Sequence, residues 1–284
     1  MEKSRREFMK TTAAGVAGAA MVSTIPANVL GANDKVRVAT MGVNGRGHGM
    51  TVEFAQNPNV EVTWVCDVDV RAYEKTIQDV TEQTGQKPKG EVDIRKVLEK
   101  KDVDALFIAA PDHWHAPAAI MALKAGKHVY VEKPCGHNPR EGELLVAAQK
   151  KYGNVVQMGN QQRSSGHTIQ ALDKVKSGII GRVYMGKAFY ANTRGPIGNG
   201  QIAPVPEWLN WELWQGPAPR IQYRDNIVHY NWHWFWRWGT GEALNNGTHE
   251  VDVCRWFLDV GYPTKVTSTG GRFHYDDDWE FYDT

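Results

Sequence analysis

The sequence feature that most constrains the fold is a glycine-rich turn that joins an apolar strand to a helix. Lys35 to Met41 predicts a strand and leads directly into the run Gly42-Val43-Asn44-Gly45-Arg46-Gly47. Glycines at this spacing let the backbone turn tightly and approach a pyrophosphate at the N-terminus of the next helix. The order is Gly-x-x-Gly-x-Gly rather than the commoner Gly-x-Gly-x-x-Gly, so the turn by itself is a weak signal.

The second predicted strand ends in an acid at the position that a dinucleotide site requires. Val60 to Cys66 is followed by Asp67, about twenty residues after the last glycine, where a carboxylate accepts hydrogen bonds from the adenosine ribose. A glycine-rich hairpin, the alternative reading, would not require Asp67. We therefore expect a Rossmann domain that binds NAD. NADP is less favoured because Asp67 repels a ribose phosphate, although the nearby Arg71 softens that preference.

A third strand precedes a loop with two histidines. Val103 to Ala109 reads as an apolar strand, and Pro111-Asp112-His113-Trp114-His115 follows it before a helix from Ala116 to Ala125. Two histidines so close together in a loop, with no third ligand nearby, favour a cofactor contact or helix capping over metal binding. The three cysteines also lack metal-ligand spacing, so no metal is expected.

The run Val129 to Pro134 reads as a buried strand that ends in Glu132 and Lys133. In an open parallel sheet the carboxyl ends of the strands are where ligands bind. Lys133 is therefore placed to bind a substrate oxygen or to move a proton, although a solvated strand end would show the same residues. A further strand, Asn154 to Met158, is again followed by polar side chains, among them Asn160 and Arg163.

The first residues read as an export signal. Ser4 to Lys10 contains two adjacent arginines followed by Phe8 and Lys10, and an uncharged Ala/Gly-rich run from Thr11 to Ile25 comes next. This pattern is typical of twin-arginine signals, so we expect residues 1–32 to be a signal peptide and the protein to be periplasmic. The alternative is a basic amphipathic helix. The apolar run is too short for a stable membrane span, and the net charge of +1 gives no indication of nucleic acid as a partner.

Taken together, these motifs resemble the glucose-fructose oxidoreductase / inositol dehydrogenase (Gfo/Idh/MocA) family. The resemblance rests on the glycine turn, Asp67, the Ala109 to His115 loop, Glu132-Lys133-Pro134 and the Asn160 to Arg163 segment, and it covers essentially the whole chain after the signal. It implies a Rossmann domain over 33–160 and an α+β substrate and oligomerisation domain over 161–284. The second domain would contain a large, mostly antiparallel open sheet through which the chain forms a homo-oligomer.

The resemblance also implies site residues. It places Lys133 against both the nicotinamide and the substrate. The expected cofactor contacts are Gly42, Asn44, Gly45, Arg46, Gly47, Asp67, Pro111, Asp112, His115, Glu132, Lys133 and Asn160. Because the strand Val266 to Thr269 has no closing element after it, the chain looks shorter than the family's usual second domain.

Tryptophan is concentrated in the second half, where eight of the 11 indoles lie between Trp208 and Trp256. Trp232, Trp234, Trp236 and Trp238 alternate with other residues, which predicts an extended segment with four indoles on one face. Aromatic faces suit pyranose rings, and we assign Trp234 to the substrate pocket. An aromatic strand that buries a sheet face is the alternative for most of these residues.

The segment from Gly239 to Asp252 resembles the family's Asp-x-Gly-x-His motif, whose histidine is the acid/base group. His249 matches that histidine, but Asn245 stands where polyol dehydrogenases of the family have an aspartate. An amide cannot transfer protons, so the chemistry would depend on His249 and Lys133. On one continuous helix Asn245 and His249 would share a face; a core histidine is the alternative for His249.

These residues predict an NAD(P)-dependent oxidoreductase acting on a secondary hydroxyl of a sugar, polyol or glycoside. Lys133, His249 and Asn245 are the expected catalytic residues, and Arg163 and Trp234 join them in substrate binding. Two alternatives stay open. One is an NAD-dependent glycoside-cleaving enzyme that oxidises, eliminates and re-reduces. The other is an inactive carbohydrate-binding protein of the same fold.

Overall fold

The structure is a computed structural model that describes residues 35–191 and 194–284. The predicted export signal lies outside the described residues. Lys35–Thr284 forms one compact unit. The division into two domains at residue 160 stays a prediction.

The first half forms a six-stranded sheet in which every neighbouring pair is parallel. The strand order is β3-β2-β1-β4-β5-β6, so the order reverses direction between β1 and β4. The strands are β1 Val36–Met41, β2 Val60–Cys66, β3 Lys89–Glu91, β4 Ala105–Ile108, β5 His128–Glu132 and β6 Val156–Gly159. In such sheets a cleft opens at the carboxyl ends of the strands where the order reverses.

Helices cover both faces of this sheet and bury it. The helices of the first half are α1 Arg46–Gln56, α2 Val70–Thr84, α3 Ile94–Leu98, α4 Asp112–Lys124 and α5 Pro139–Tyr152. One core cluster joins β4 and β5 to α4, with Leu106, Val131 and Ala119 fully buried. A second joins β2 to α1 and α2 around Val65 and Val80. The unbroken apolar runs of the sequence therefore become strands that are covered on both sides.

Helix α4 begins earlier than the sequence suggested. We expected a helix from Ala116, whereas it starts at Asp112, so His113 and His115 lie in its first turns rather than in a loop. The backbone N–H of Trp114 bonds to the carbonyl of Pro111 at 2.8 Å, which tightens this start.

The prediction of a large, mostly antiparallel open sheet in the second half is wrong. The sheet of this structure is the six-stranded parallel one. Within the described residues after β6, the regular elements are α6 Gly166–Lys176, α7 Trp211–Gln215, α8 Gly241–Asn245, α9 Gly247–Leu258 and the 3₁₀ turns Gln161–Ser164 and Asn231–Trp234. Two isolated antiparallel bridges, Asp69 to Leu209 and Ile202 to Arg224, complete them.

The reason is that a strand exists only with a hydrogen-bonded neighbour. The alternating run from Val183 to Tyr190 has strand-like composition, yet it forms no ladder with any described residue. Its large side chains stay in solvent, with Tyr184 81% and Phe189 80% exposed. The segment Val266 to Thr269 likewise forms no strand in the described chain.

The expected extended tryptophan segment is also wrong. Asn231–Trp234 is a 3₁₀ turn, closed by bonds such as Phe235 N to Trp232 O at 3.2 Å. Turning the chain sends neighbouring indoles into different clusters. Trp238 packs with Trp211 and Trp214, whereas Trp234 stacks on Trp279 with ring centroids 3.9 Å apart. The aromatic residues thus build local cores rather than one face.

None of the helices in the described part of the chain has both the length and the apolar character to span a bilayer.

Candidate active site

A cleft of about 420 Å³ lies at the carboxyl ends of β1, β2, β4 and β5 and is closed by residues of the second half. It brings together many of the predicted residues from separate parts of the chain. The predicted residues that line it are Gly42, Asn44, Gly45, Arg46, Asp67, Pro111, Asp112, His115, Glu132, Lys133 and Asn245. The predicted residues outside its lining are Gly47, Asn160, Arg163, Trp234 and His249.

The glycine turn shows why two of its positions exclude a side chain. A Cβ on Gly42, where φ is +78°, would lie 2.4 Å from the backbone nitrogen of Ala110. A Cβ on Gly47 would lie 1.7 Å from the carbonyl oxygen of Gly42. Gly45 differs, because no atom lies within 4 Å of a Cβ placed there. Gly42 and Gly47 therefore allow the turn to close, and Gly45 leaves open the surface at the start of α1, where a pyrophosphate would bind.

Asp67 is held against this turn by the backbone. Its Oδ2 accepts the N–H of Val43 at 2.7 Å, and its Oδ1 accepts the N–H of Asp69 at 2.9 Å. Burial raises the pKa of Asp67, and these two bonds oppose that shift. Each carboxylate oxygen still has a free acceptor position, so Asp67 fits the ribose hydroxyls of a dinucleotide.

Arg71 is occupied beside Asp67. Its guanidinium donates to both oxygens of Asp69, at 3.0 and 2.8 Å, and lies 3.5 Å from the ring centroid of Trp208. Asp69 also contacts Nε2 of His229 at 2.7 Å. The guanidinium of Arg71 is therefore already engaged by Asp69 and Trp208.

Lys133 follows β5 and meets the second half of the chain. Its Nζ donates to both the backbone oxygen and the side-chain Oδ1 of Asn245. Burial lowers the pKa of Lys133, while the charges of Asp112 and Glu132 act in the opposite direction. Glu132 is only 4% exposed and accepts from Nε of Arg46 at 3.2 Å. Lys133 is therefore a half-buried group with fixed partners, not a freely solvated strand end.

Asp112 and His115 both line the cleft near Lys133, and each is held by hydrogen-bond contacts. Asp112 is buried, accepts from Oγ1 of Thr240 at 2.6 Å and has a pKa raised by burial. The two ring nitrogens of His115 lie against the carbonyl oxygens of Pro134 and Ala110. Because both nitrogens are engaged, His115 ties the ends of β4 and β5 together, and only its ring carbons are free for a cofactor.

His113 is buried against the second half of the chain. It is 3% exposed, and its Nε2 lies 3.0 Å from the carbonyl oxygen of Trp214. No group of His, Cys, Asp and Glu side chains in the described chain is arranged to hold a metal ion.

Asn245 and His249 do not share one helix. Asn245 ends α8 and His249 lies in α9, with Asn246 between the two helices. Asn245 lines the cleft, whereas His249 lies outside its lining and its Nδ1 is buried without a partner among the described residues. Burial and the charge of Lys133 lower the pKa of His249. The break at Asn246 separates the two residues that the sequence placed on one face.

Arg163 and Trp234, which were predicted to bind the substrate, lie outside the cleft lining and contact other parts of the chain. Arg163 donates to both oxygens of Asp252, at 2.8 and 2.7 Å, and its guanidinium lies 4.5 Å from the ring centroid of Trp256. It therefore fastens the Gln161–Ser164 turn to α9. Trp234 is 1% exposed, so its indole has no surface to offer a sugar.

Four residues in and beside the 3₁₀ turn line the cleft, although Trp234 does not. The sequence did not single them out as site residues. They are His229, Tyr230, Trp232 and His233. Trp232 and His233 stack with centroids 3.6 Å apart, and Nδ1 of His233 lies 2.7 Å from the carbonyl oxygen of Tyr230. The sequence signal was present in the aromatic cluster, but on the observed turn it is Trp232, and not Trp234, that lines the cleft.

Two family models match the chain. Residues 36–160 match the oxidoreductase family, NAD-binding Rossmann fold, and residues 187–279 match the C-terminal alpha/beta domain of the same oxidoreductase family.

Proteins named glycosyl hydrolase family 109 protein are similar in sequence. The one from Saccharopolyspora erythraea is 34% identical over 253 residues, covering 78% of this chain and 55% of the relative. The one from Shewanella pealeana is 31% identical over 213 residues, covering 67% and 46%. The chain thus spans about half the length of the curated relatives it matches.

A solved structure shares the fold. GenD2 from gentamicin A biosynthesis, in complex with NAD, superposes with a TM-score of 0.54 at 20% identity, covering 79% of this chain and 54% of that one. The glycine turn, Asp67 and the Lys133 strand end all lie within the residues that match the NAD-binding Rossmann model. The chain belongs to the Gfo/Idh/MocA oxidoreductase family, with an NAD-binding Rossmann fold.

Proposed function

We propose that this protein oxidises a secondary hydroxyl of a sugar, polyol or glycoside with NAD. The observation that carries the proposal is the position of Lys133, in the same cleft as the glycine turn and Asp67. NAD, when bound, supplies the hydride acceptor. A lysine in that cleft, anchored to Asn245, is placed to act on the oxygen from whose carbon the hydride leaves.

Different residues of the cleft bind different parts of the cofactor and the substrate. The open surface at Gly45 and the start of α1 accommodate the pyrophosphate, and Asp67 accepts the ribose hydroxyls. Lys133 donates a hydrogen bond to the substrate oxygen and stabilises the negative charge that develops there as the proton leaves. Asn245 holds Nζ of Lys133 through two acceptors, which leaves the third N–H for the substrate.

The second candidate is glycoside cleavage through transient oxidation. The names of the relatives, glycosyl hydrolase family 109 protein, favour it. Both candidates begin with the same oxidation at Lys133. They differ in whether NADH accumulates or is consumed again after the leaving group departs.

The first experiment measures NAD binding by calorimetry and then tests a panel of free hexoses, inositols and methyl glycosides. We expect NAD to bind and at least one member to produce NADH, or to release a free sugar with no net NADH. Absence of NAD binding would contradict the cofactor assignment. Saturable sugar binding with neither product would favour the inactive carbohydrate-binding protein.

A further inference from the structure

The loop that follows β2 is fastened to the second half of the chain by its backbone. The N–H of Val70 bonds to the carbonyl of Trp208 at 3.1 Å, and the N–H of Asn210 bonds to the carbonyl of Val68 at 2.9 Å. Together these bonds form one isolated antiparallel bridge. The residues directly after Asp67 therefore pair with a segment that lies far away in the sequence.

His229 adds a side-chain contact at the same place. Its Nε2 lies 2.7 Å from Oδ2 of Asp69, and the backbone N–H of Asp69 donates to Oδ1 of Asp67 at 2.9 Å. His229 and Asp67 both line the cleft. Burial raises the pKa of Asp67, and a positive charge on His229 is among the effects that oppose this rise. Asp69 alone thus connects His229 to the carboxylate that fits the ribose hydroxyls.

The carboxylate of Asp69 is ionised, which fixes the direction of the bond from His229. Burial raises the pKa of Asp69, but the hydrogen bonds from Arg71 and His229 outweigh burial and lower the pKa below its ordinary value. A carboxylate oxygen only accepts, so Nε2 of His229 carries the hydrogen and donates it.

Trp208 holds the ring of His229 in place. The indole stacks on the imidazole with ring centroids 5.7 Å apart and planes 24° apart. The guanidinium of Arg71 lies 3.5 Å from the Trp208 ring centroid and donates to both oxygens of Asp69. Asp69, Arg71, Trp208 and His229, the β2 cluster, therefore form a closed ring of contacts between the two halves of the chain.

We infer that the β2 cluster belongs to the NAD site, with His229 as a positioning residue that holds Asp67 in place for the adenosine ribose. Asp67 accepts the ribose hydroxyls only while the backbone that orients its carboxylate keeps its shape. The N–H of Val43 fixes one carboxylate oxygen, and the N–H of Asp69 fixes the other. The second half of the chain, through His229, holds Asp69. The inference rests on the NAD-binding part of the proposed function and not on the identity of the substrate.

The first test measures the affinity of the intact protein for ADP-ribose, and for its analogue that lacks the 2′-hydroxyl of the adenosine ribose, by calorimetry. His229→Ala should raise the Kd of ADP-ribose on the order of tenfold, the effect of one hydrogen bond to a charged group. The Kd of the analogue should change by less than about twofold, because the bond that His229 supports is already missing. Equal losses for the two ligands, or no loss for ADP-ribose, would overturn the inference.

Two further variants control for changes in folding. Glutamine at position 229 can still donate an N–H to Asp69, so His229→Gln should keep most of the affinity that His229→Ala loses. His167→Ala, at an exposed position of α6, should bind both ligands as the wild type does. A His229→Gln variant that is folded and as weak as His229→Ala would show that the bond to Asp69 does not position the site.

The second test needs no variant. ADP-ribose added to the wild type should slow hydrogen exchange in the peptide that contains the N–H of Asn210, because ordering Asp67 also orders the bridge to the second half. Protection confined to the first half of the chain would overturn the inference.

The outcomes also separate this inference from the proposed function. A wild type that binds NAD, with unchanged ADP-ribose affinity in His229→Ala, would overturn the role of His229 and leave the proposed oxidation standing. A wild type that binds neither NAD nor ADP-ribose would overturn both.

Discussion

At the scale of single residues, Lys133 and Asn245 define what is particular to this site. Asn245 stands where the sequence motif led us to expect an aspartate, and its Oδ1 accepts a hydrogen bond from Lys133 at 3.1 Å. A carboxylate at position 245 would place a negative charge beside Lys133, whereas the amide of Asn245 is uncharged. The pKa of Lys133 is consequently lowered by burial with no compensating charge at position 245.

Removing the ammonium tests the role of Lys133. We expect Lys133→Met to reduce turnover by a factor on the order of 10² to 10⁴, the range for a group that acts in the transition state. Stability should change by about 0.5 kcal/mol or less, because the buried charge that is lost was partly unfavourable. Turnover and urea unfolding measure the two effects. Normal turnover, or an unfolded variant, would show that Lys133 is a structural strand end.

Restoring the aspartate tests the electrostatics. In Asn245→Asp the new carboxylate lies beside Nζ and should raise the pKa of Lys133. If Lys133 acts as a cation, activity is present below its pKa and is lost as pH rises through it. The alkaline limb of the kcat/KM profile should therefore move to higher pH in the variant. Asn245→Ala, which adds no charge, is the control, and an unshifted limb in Asn245→Asp would contradict the assignment.

His113 makes stability depend on pH. Burial lowers its folded-state pKa to about 3, while the unfolded chain titrates near the ordinary value of 6.5. The unfolded state therefore binds the extra proton first, and stability falls as pH drops from 6.5 towards 3. Between pH 7 and pH 5 this group should cost about 2 kcal/mol. Urea unfolding of His113→Gln should show a correspondingly flatter pH dependence than the wild type. Identical slopes would mean that His113 is not buried neutral.

At the scale of elements, the local sequence explains the start and end of several helices. The side chain of Asn138 accepts the N–H of Glu141 at the start of α5, Pro139 takes the first position, and Gly153 ends the helix with φ of +78°. Asp69 caps α2 in the same way. These signals act over a few residues, so they predict helix ends without knowledge of the fold.

Two glycines of α1 give a matched test of the glycine turn. In Gly47→Ala the new Cβ would lie 1.7 Å from the Gly42 carbonyl oxygen, so the turn must move and NAD binding should be lost. In Gly49→Ala no atom lies within 4 Å, and a helix interior gains about 0.5–1 kcal/mol from alanine. Calorimetry with NAD and thermal unfolding measure both. Equal NAD affinity in the two variants would contradict the structural role of Gly47.

At the scale of the whole molecule, the aromatic clusters hold the second half in place. Trp234 and Trp279 stack with planes 8° apart, and the backbone N–H of Glu280 bonds to the Trp234 carbonyl at 2.9 Å. This contact joins residues far apart in the chain. The buried pair Trp234 and Trp279 thus anchors the segment that covers the cleft, and Trp232 and His233 of the same segment line the cleft.

Trp234 is buried and the nearby Trp236 is exposed, so alanine substitutions at the two positions compare how much each indole stabilises the fold. Trp234→Ala should cost about 3–5 kcal/mol, as expected for a buried aromatic side chain. Trp236 is 62% exposed, so Trp236→Ala should cost about 1 kcal/mol. Urea unfolding measures both values. Similar losses in the two variants would show that Trp234 is not a core residue.

The sequence by itself determined the parallel Rossmann half, and it singled out most of the predicted cofactor residues that line the cleft. An apolar strand, a glycine turn and an acid are local or periodic signals, and each acts within one strand-helix unit. Gly42, Asp67 and Lys133 could therefore be placed at strand ends, and the rule for parallel sheets brought those ends together.

The tertiary structure alone decided the second half. Val183 to Tyr190 could become a strand only if another strand formed hydrogen bonds with it. Whether Trp232 or Trp234 lines the cleft depends on the 3₁₀ turn Asn231–Trp234. The pairing of Arg163 with Asp252 and the stacking of Trp234 on Trp279 both depend on contacts between residues far apart in the sequence. Such contacts leave no periodic signal in the sequence, because their energy comes from packing and hydrogen bonding that exist only in the folded chain.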